Sequence, residues 1–331
     1  MELTQRLTHG MLEDRDFLIR RDTALTAYRQ EHPQRAARLT ACLAALTRAG
    51  FAEDARNIAY IACTAPEPAR AAFFGALGRF SVSGMRTGNG LFIASLLDKV
   101  FLPAGAAALA EDGRGPYTTF FHECGHAVDF NTTHGPQHLL DITPGAAFSC
   151  GYRRGGQTLQ DCIRQDVEDH LARTAAQFAP GDAAGAALLV KSVRRGGSEA
   201  TLRAAVSSEV RADALCAARR ALLEHYTHAV CAGPVNEAAS DIFGGMTNNN
   251  VRGAGYYHGV DGKLYQFWRR WYWFLPSGIE TGAQSRELFA EYFSYCMTRN
   301  TPAQASVRAN FPRAALMLDA LLAEMARRAR G

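Results

Sequence analysis

His122-Glu123-Cys124-Gly125-His126 is the stretch on which the reading of this chain turns. On a helix, positions i and i+4 share one face, so both imidazoles can offer a nitrogen to one divalent ion. Glu123 then faces the water such an ion would hold and can take its proton. Zinc suits this chemistry: it accepts histidine nitrogens and lowers the pKa of a bound water to about 7. The flanks read as a helix packed in a core, with Tyr117, Phe120 and Phe121 leading in and Ala127 and Val128 leading out. Two histidines and a carboxylate are costly there unless something polar engages them. That cost sets a metal pair above two ordinary helical histidines.

Composition bounds the rest. A chain of 331 residues, 47% hydrophobic and 21% charged, holds one large domain or two modest ones around a real core. A net charge of +4, without any Lys/Arg block, argues against a nucleic-acid partner. Eight scattered cysteines without a CxxC favour free thiols in a reducing compartment over a disulfide framework. The segment Met1-Glu2-Leu3-Thr4-Gln5-Arg6 has no apolar signal core, and no stretch approaches the length of a membrane span. The expectation is a protein cytoplasmic as synthesised, with no membrane partner; export by a signal-free route stays open.

Along the chain, residues 1–55 carry helical spacing at Leu18, Leu25, Tyr28, Leu39, Leu43 and Leu46. Asn57 to Cys63 reads as a short buried strand, and Phe80 to Met85 and Leu91 to Leu96 as further strands or strand–helix joins. The motif helix runs from Pro116 to Phe130. Residues 131–156 read as a loop, and 157–230 as an alanine-rich insertion of two to four helices, broken at Pro180-Gly181 and Gly196-Gly197. Pro234 opens another helix, ended by Asn248-Asn249-Asn250. Ser285 caps a helix to about Arg299, and Pro312 opens the last one.

A catalytic zinc site needs a third protein ligand and one open position. Two later segments make the same offer of carboxylates at i and i+4: Glu237 with Asp241, and Glu287 with Glu291. One member of a pair could reach the metal, and a second carboxylate could accept the free N–H of a liganding histidine. Spacing along the chain leaves both pairs open. For the developing oxyanion, His258 in Tyr256-Tyr257-His258-Gly259 is the candidate donor, on a glycine-containing loop that allows close approach. His134 and His138 read as solvated loop histidines. The aromatic run around Trp268, Trp271 and Trp273 reads as core ahead of a substrate cleft.

HECGHAVD (122–129), ELFAE (287–291) and the tail from Asn300 through Phe311-Pro312 to Leu321 resemble the anthrax lethal factor metallopeptidase domain, a gluzincin-type zinc peptidase. SDIFGGMTNNNVRGAGYYHG (240–259) is similar to metallopeptidase-like domains of phage- and prophage-borne proteins related to head-morphogenesis proteins. NEAASDIFG (236–244) resembles the thermolysin segment whose glutamate binds zinc and whose aspartate orients a histidine. The thermolysin-like segment makes Glu237 the alternative third ligand, with Asp241 as the group that would fix a histidine tautomer. The longest of these resemblances implies His122, His126 and Glu287 as zinc ligands, Glu123 as the base and Glu291 as the group that fixes a histidine tautomer. It covers roughly residues 110–150 and 234–325. One departure stands out: the lethal factor domain has a tyrosine shortly before its third ligand, and residues 280–286 contain none.

The expectation is therefore an α+β, zincin-like metallopeptidase fold, predominantly helical with a small mixed sheet. Residues 1–105 form an N-terminal region of unknown role, and 106–331 the peptidase domain with its insertion at about 157–230. The expected activity is hydrolysis of a protein or peptide substrate through a zinc-activated water. The rival readings are a phage-associated structural or interaction protein that keeps a peptidase fold, and a metal hydrolase acting on another amide.

Overall fold

The computed structural model describes residues 8–84, 91–93, 99–102, 113–133, 147–251, 273–274 and 277–329. Its elements run α1 (His9–Leu12), α2 (Arg15–Glu31), α3 (Pro33–Arg48), α4 (Ala52–Thr64), α5 (Ala69–Ala76), β1 (Ser81–Gly84), β2 (Leu91–Ile93), β3 (Lys99–Leu102), α6 (Thr118–Thr133), α7 (Phe148–Gly151), β4 (Arg153–Arg154) and β5 (Gln157–Thr158). Then follow α8 (Leu159–Phe178), α9 (Ala183–Val193), α10 (Glu199–Ala205), α11 (Glu209–His225), a π-helical turn (Tyr226–Val230), a 3₁₀ turn (Pro234–Asn236), α12 (Glu237–Thr247), α13 (Ala283–Met297), α14 (Thr301–Asn310) and α15 (Pro312–Arg328). The protein is predominantly helical with a small mixed sheet, β1-β3-β2, in which β1 pairs parallel and β2 antiparallel with β3. Among the described residues no helix is long and apolar enough to cross a membrane.

Contacts divide the chain into two units. One comprises Met1–Tyr152, Phe289–Gln304 and Leu318–Gly331; the other comprises Arg153–Leu288 and Ala305–Met317. The boundary passes through the middle of α13, which is one continuous helix. In the first unit, α2, α3 and α4 pack on one another, and α6 packs on α5 and on β2 and β3. Helix α3 shows why: Ala36, Leu39, Cys42, Leu43 and Leu46 form one buried stripe at helical spacing. Phe73 meets Phe121 edge to face at 5.9 Å between centroids, which ties α5 to the motif helix.

In the second unit, α8, α9, α10 and α11 supply most of the packing. Phe243 of α12 lies 4.9 Å from the rings of both His170 and Tyr226 and 5.3 Å from Phe311. The insertion resolves into four helices; two of its three breaks fall at Pro180-Gly181 and Gly196-Gly197, as the sequence marked, and the third, at 206–208, has no glycine. Asn248, in the left-handed conformation with φ 54°, ends α12.

Three local expectations are corrected. Asn57 to Cys63 is helix, within α4. From Asn57 on, Asn57, Ile58, Tyr60, Ile61, Ala62 and Cys63 are all buried, so along that stretch no wet face reveals the helical period; the exposed Ala52, Glu53 and Arg56 lie before it. The motif helix starts at Thr118, two residues after Pro116, because Tyr117 has φ 63° and cannot be helical. Ser285 does not cap α13. It sits inside the first turn and donates to Gln160 Oε1, while Thr281 Oγ1 accepts from the Ala283 N–H.

Candidate metal centre

On α6 the 3.6-residue period brings His122 and His126 to one face, with Nε2 atoms 3.2 Å apart and ring planes at 87°. Two nitrogens held about 2.0–2.1 Å from one tetrahedral ion would lie roughly 3.3–3.4 Å apart, so the pair is already spaced for a shared metal. Glu287 of α13 joins them: one ligand atom from each of His122, His126 and Glu287 falls within 4.8 Å of the others. Among the described residues this is the group of three His, Cys, Asp or Glu side chains placed to hold an ion. Two imidazole nitrogens and a carboxylate oxygen are a donor set that zinc accepts, and the residues fit that ion.

The crossing of α6 and α13 is set by a glycine. A Cβ on Gly125 would stand 2.8 Å from the Ala290 Cα and 3.2 Å from its carbonyl oxygen. Gly125 lies between the two histidines and Ala290 between the two glutamates. The missing side chain thus lets the backbones meet where four polar side chains must converge. Mid-helix glycine is disfavoured by about 1 kcal/mol relative to alanine, so its presence here answers to packing.

Behind His122 stands Glu291. Its Oε1 lies 3.0 Å from His122 Nδ1 and accepts from Arg114 Nη1 at 2.9 Å. With Nδ1 turned to Glu291, Nε2 is the nitrogen that faces His126 and could ligate. Burial would push the Glu291 carboxyl up. The charges of Arg114 and His122 overcome it and hold the group down at about 2. Removing one partner from so buried an ion pair costs about 3–5 kcal/mol. Glu123 is buried on α6. Cys124, also in the motif, is no nucleophile: complete burial, with Cys42 and Glu123 nearby, pushes its thiol well above the ordinary value.

The other candidates fall elsewhere. Glu237 is half-buried and is not part of the His122–His126–Glu287 group. Asp241 is buried on α12, where its charge acts on Cys231. His258 lies outside the described residues, as do Tyr256, Tyr257, His134, His138, Trp268 and Trp271. Trp273 is 1% exposed and packs with Phe274 and Ala283, a core role. Sequence reasoning missed Arg114, Gly125 and Ala290. Glycine inside a helical pattern was a readable signal for Gly125. An arginine in a loop rich in glycine and alanine gave none.

Compared with family models, with curated proteins and with solved structures, the chain matches none.

Proposed function

We propose that this protein is a zinc-dependent metallopeptidase of the gluzincin type, with a zincin-like catalytic core. The observation that carries the reading is the convergence of His122, His126 and Glu287, with the two Nε2 atoms at a separation one tetrahedral ion would impose. His122, His126 and Glu287 would hold the ion. Zinc bound there supplies Lewis acidity, which acidifies a water and polarises the scissile carbonyl. Glu123 would act as the base toward a water held at the site and then as the acid toward the leaving amine. Glu291 holds the His122 ring in the tautomer that presents Nε2, and Arg114 holds Glu291. His258 is the proposed donor to the oxyanion, and the substrate is a protein or peptide.

The test is Glu123→Gln in the full chain, with metal content and digestion of casein and of a peptide library measured together. The expected outcome is retained zinc, retained fold and a loss of hydrolysis of roughly 10²–10⁴-fold. Full activity in this variant would remove Glu123 as the base. Zinc uptake without cleavage of any peptide by the wild type would move the protein to a hydrolase of another amide or to a non-catalytic role.

A further inference from the structure

The turn immediately before the motif helix contains two residues in the left-handed region, Gly115 at φ 118° and Tyr117 at φ 63°. Glycine adopts that region freely and tyrosine does not, so something must hold Tyr117 there. Its hydroxyl, buried with the rest of the side chain, donates to Asp54 Oδ1 at 2.9 Å and accepts from Asn57 Nδ2 at 2.9 Å. Asn57 Oδ1 accepts in turn from Arg21 Nη1 at 2.8 Å. Asp54, Asn57 and Arg21 are all buried, on α4 and α2. The turn so fixed delivers Arg114. Its guanidinium reaches Glu291 Oε1 at 2.9 Å and Thr119 Oγ1 at 2.5 Å, and its carbonyl accepts from Asn300 Nδ2 at 2.8 Å.

We propose that Arg114 is a positioning residue of the metal centre, and that helices α2 and α4 aim it through the buried hydroxyl of Tyr117. The inference rests on the metallopeptidase reading and gives the N-terminal helices a part in it. Arg114 and His122 share one oxygen, Oε1 of Glu291. Arg114 therefore fixes which way the carboxylate points, and the carboxylate fixes the imidazole. Two effects oppose when Arg114 is removed. A positive charge leaves the neighbourhood of a cation, which favours binding; the carboxylate loses its orientation, which disfavours it. The carboxylate touches the ligand ring directly, whereas the guanidinium stands one hydrogen bond further back, so loss of orientation prevails.

The test uses the full-length protein with Arg114→Met, Arg114→Lys, Tyr117→Phe and the Arg114→Met/Tyr117→Phe pair. Zinc affinity is measured by competition with a chromophoric chelator, and the ligand field from the visible spectrum of Co²⁺ bound in place of zinc. Thermal melts of the metal-free proteins report stability separately. Arg114→Met should weaken zinc binding about 10–100-fold and alter the cobalt bands. Arg114→Lys should recover part of the affinity, since it keeps the charge and loses the fork that serves Glu291 and Thr119 together. Tyr117→Phe should weaken binding by a smaller factor, and that factor should vanish in the Arg114→Met background, as expected of two residues on one path. Lower melting temperatures with unchanged affinity and spectrum would mean that these residues only support the fold, and would overturn the proposal. Should Arg114→Met fail to fold, unchanged affinity and spectrum in both Arg114→Lys and Tyr117→Phe would overturn it equally. If the wild type binds neither ion, the metallopeptidase reading falls and this inference with it; if the wild type binds and the variants bind as well, only the inference falls.

Discussion

The helices Glu237–Thr247 and Ala283–Met297 each carry two carboxylates four residues apart, Glu237 with Asp241 and Glu287 with Glu291. Locally their offers are equal, since one turn of helix separates the acids in both. Their surroundings differ. Around the first helix, Asp241 acts on Cys231, and Phe243 fills an aromatic cluster with His170, Tyr226 and Phe311. Around the second, Ala290 meets the bare backbone of Gly125, and both glutamates come to the histidines. A carboxylate pair becomes a candidate ligand pair through what its helix is allowed to touch, not through its spacing.

The comparison breaks most decisively on the ligand itself. Glu287→Ala should cut zinc affinity by more than the roughly 10–100-fold typical of groups behind the ligands, while Glu237→Ala should leave it near wild type. Competition with a chelator reads both. The reverse ranking would transfer the third ligand to the Glu237 helix and end the contrast.

Next in size is the effect of a single methyl group. Each of the two contacts uses a glycine: Gly125 against Ala290, and Gly245 of α12, whose Cβ would stand 2.9 Å from the Trp273 ring and 3.0 Å from Gln284 Cγ. Alanine at either place gains about 1 kcal/mol of helix propensity and meets an overpacking penalty of about 1–3 kcal/mol. At Gly125 the obstacle is a backbone atom that cannot swing aside, so the penalty prevails. Gly125→Ala should lower both the urea midpoint and the metal affinity, and Gly245→Ala the midpoint alone. Equal metal affinity in Gly125→Ala and wild type would show that the crossing does not set the ligand geometry.

The smallest expected effect sharpens the contrast in acid. Burial, with Arg173 and His225 nearby, lowers His170 from 6.5 to about 4. Glu291 is lowered from 4.5 to about 2. Both folded values lie below the unfolded ones, so each contribution is whole above the unfolded pKa and is lost as pH falls through the folded one. The aromatic cluster around α12 should therefore weaken between pH 6.5 and 4, and the group behind His122 only between 4.5 and 2. In urea melts of the metal-free protein, His170→Gln should flatten the first window and Glu291→Gln the second. A variant that flattens the other's window would show that these two groups are not the source of the slopes.

Much of the secondary structure was legible. Two of the three breaks between the inserted helices fell at Pro180-Gly181 and Gly196-Gly197, and Pro312 opened α15 as its place in the sequence implied. Helix α4 was not legible over Asn57–Cys63, because burial on nearly every side of that stretch erased the alternation of wet and dry that identifies a helix. The start of the motif helix was misplaced by two residues, because Tyr117 takes a conformation disfavoured for its side chain and is held by partners about sixty residues away in sequence.

By itself the sequence determined that His122 and His126 share a face. That pairing follows from helical period alone and needs no other part of the chain. It also determined that two helices could present a carboxylate to them. Which one does so was decided by tertiary structure: the close approach at Gly125 and Ala290, and the buried run of Arg114, Glu291 and His122, join segments up to 177 residues apart. No local rule ranks two helices that satisfy it equally, and packing ranks them because, among the described residues, the crossing at Gly125 and Ala290 brings backbones close enough for the side chains to meet.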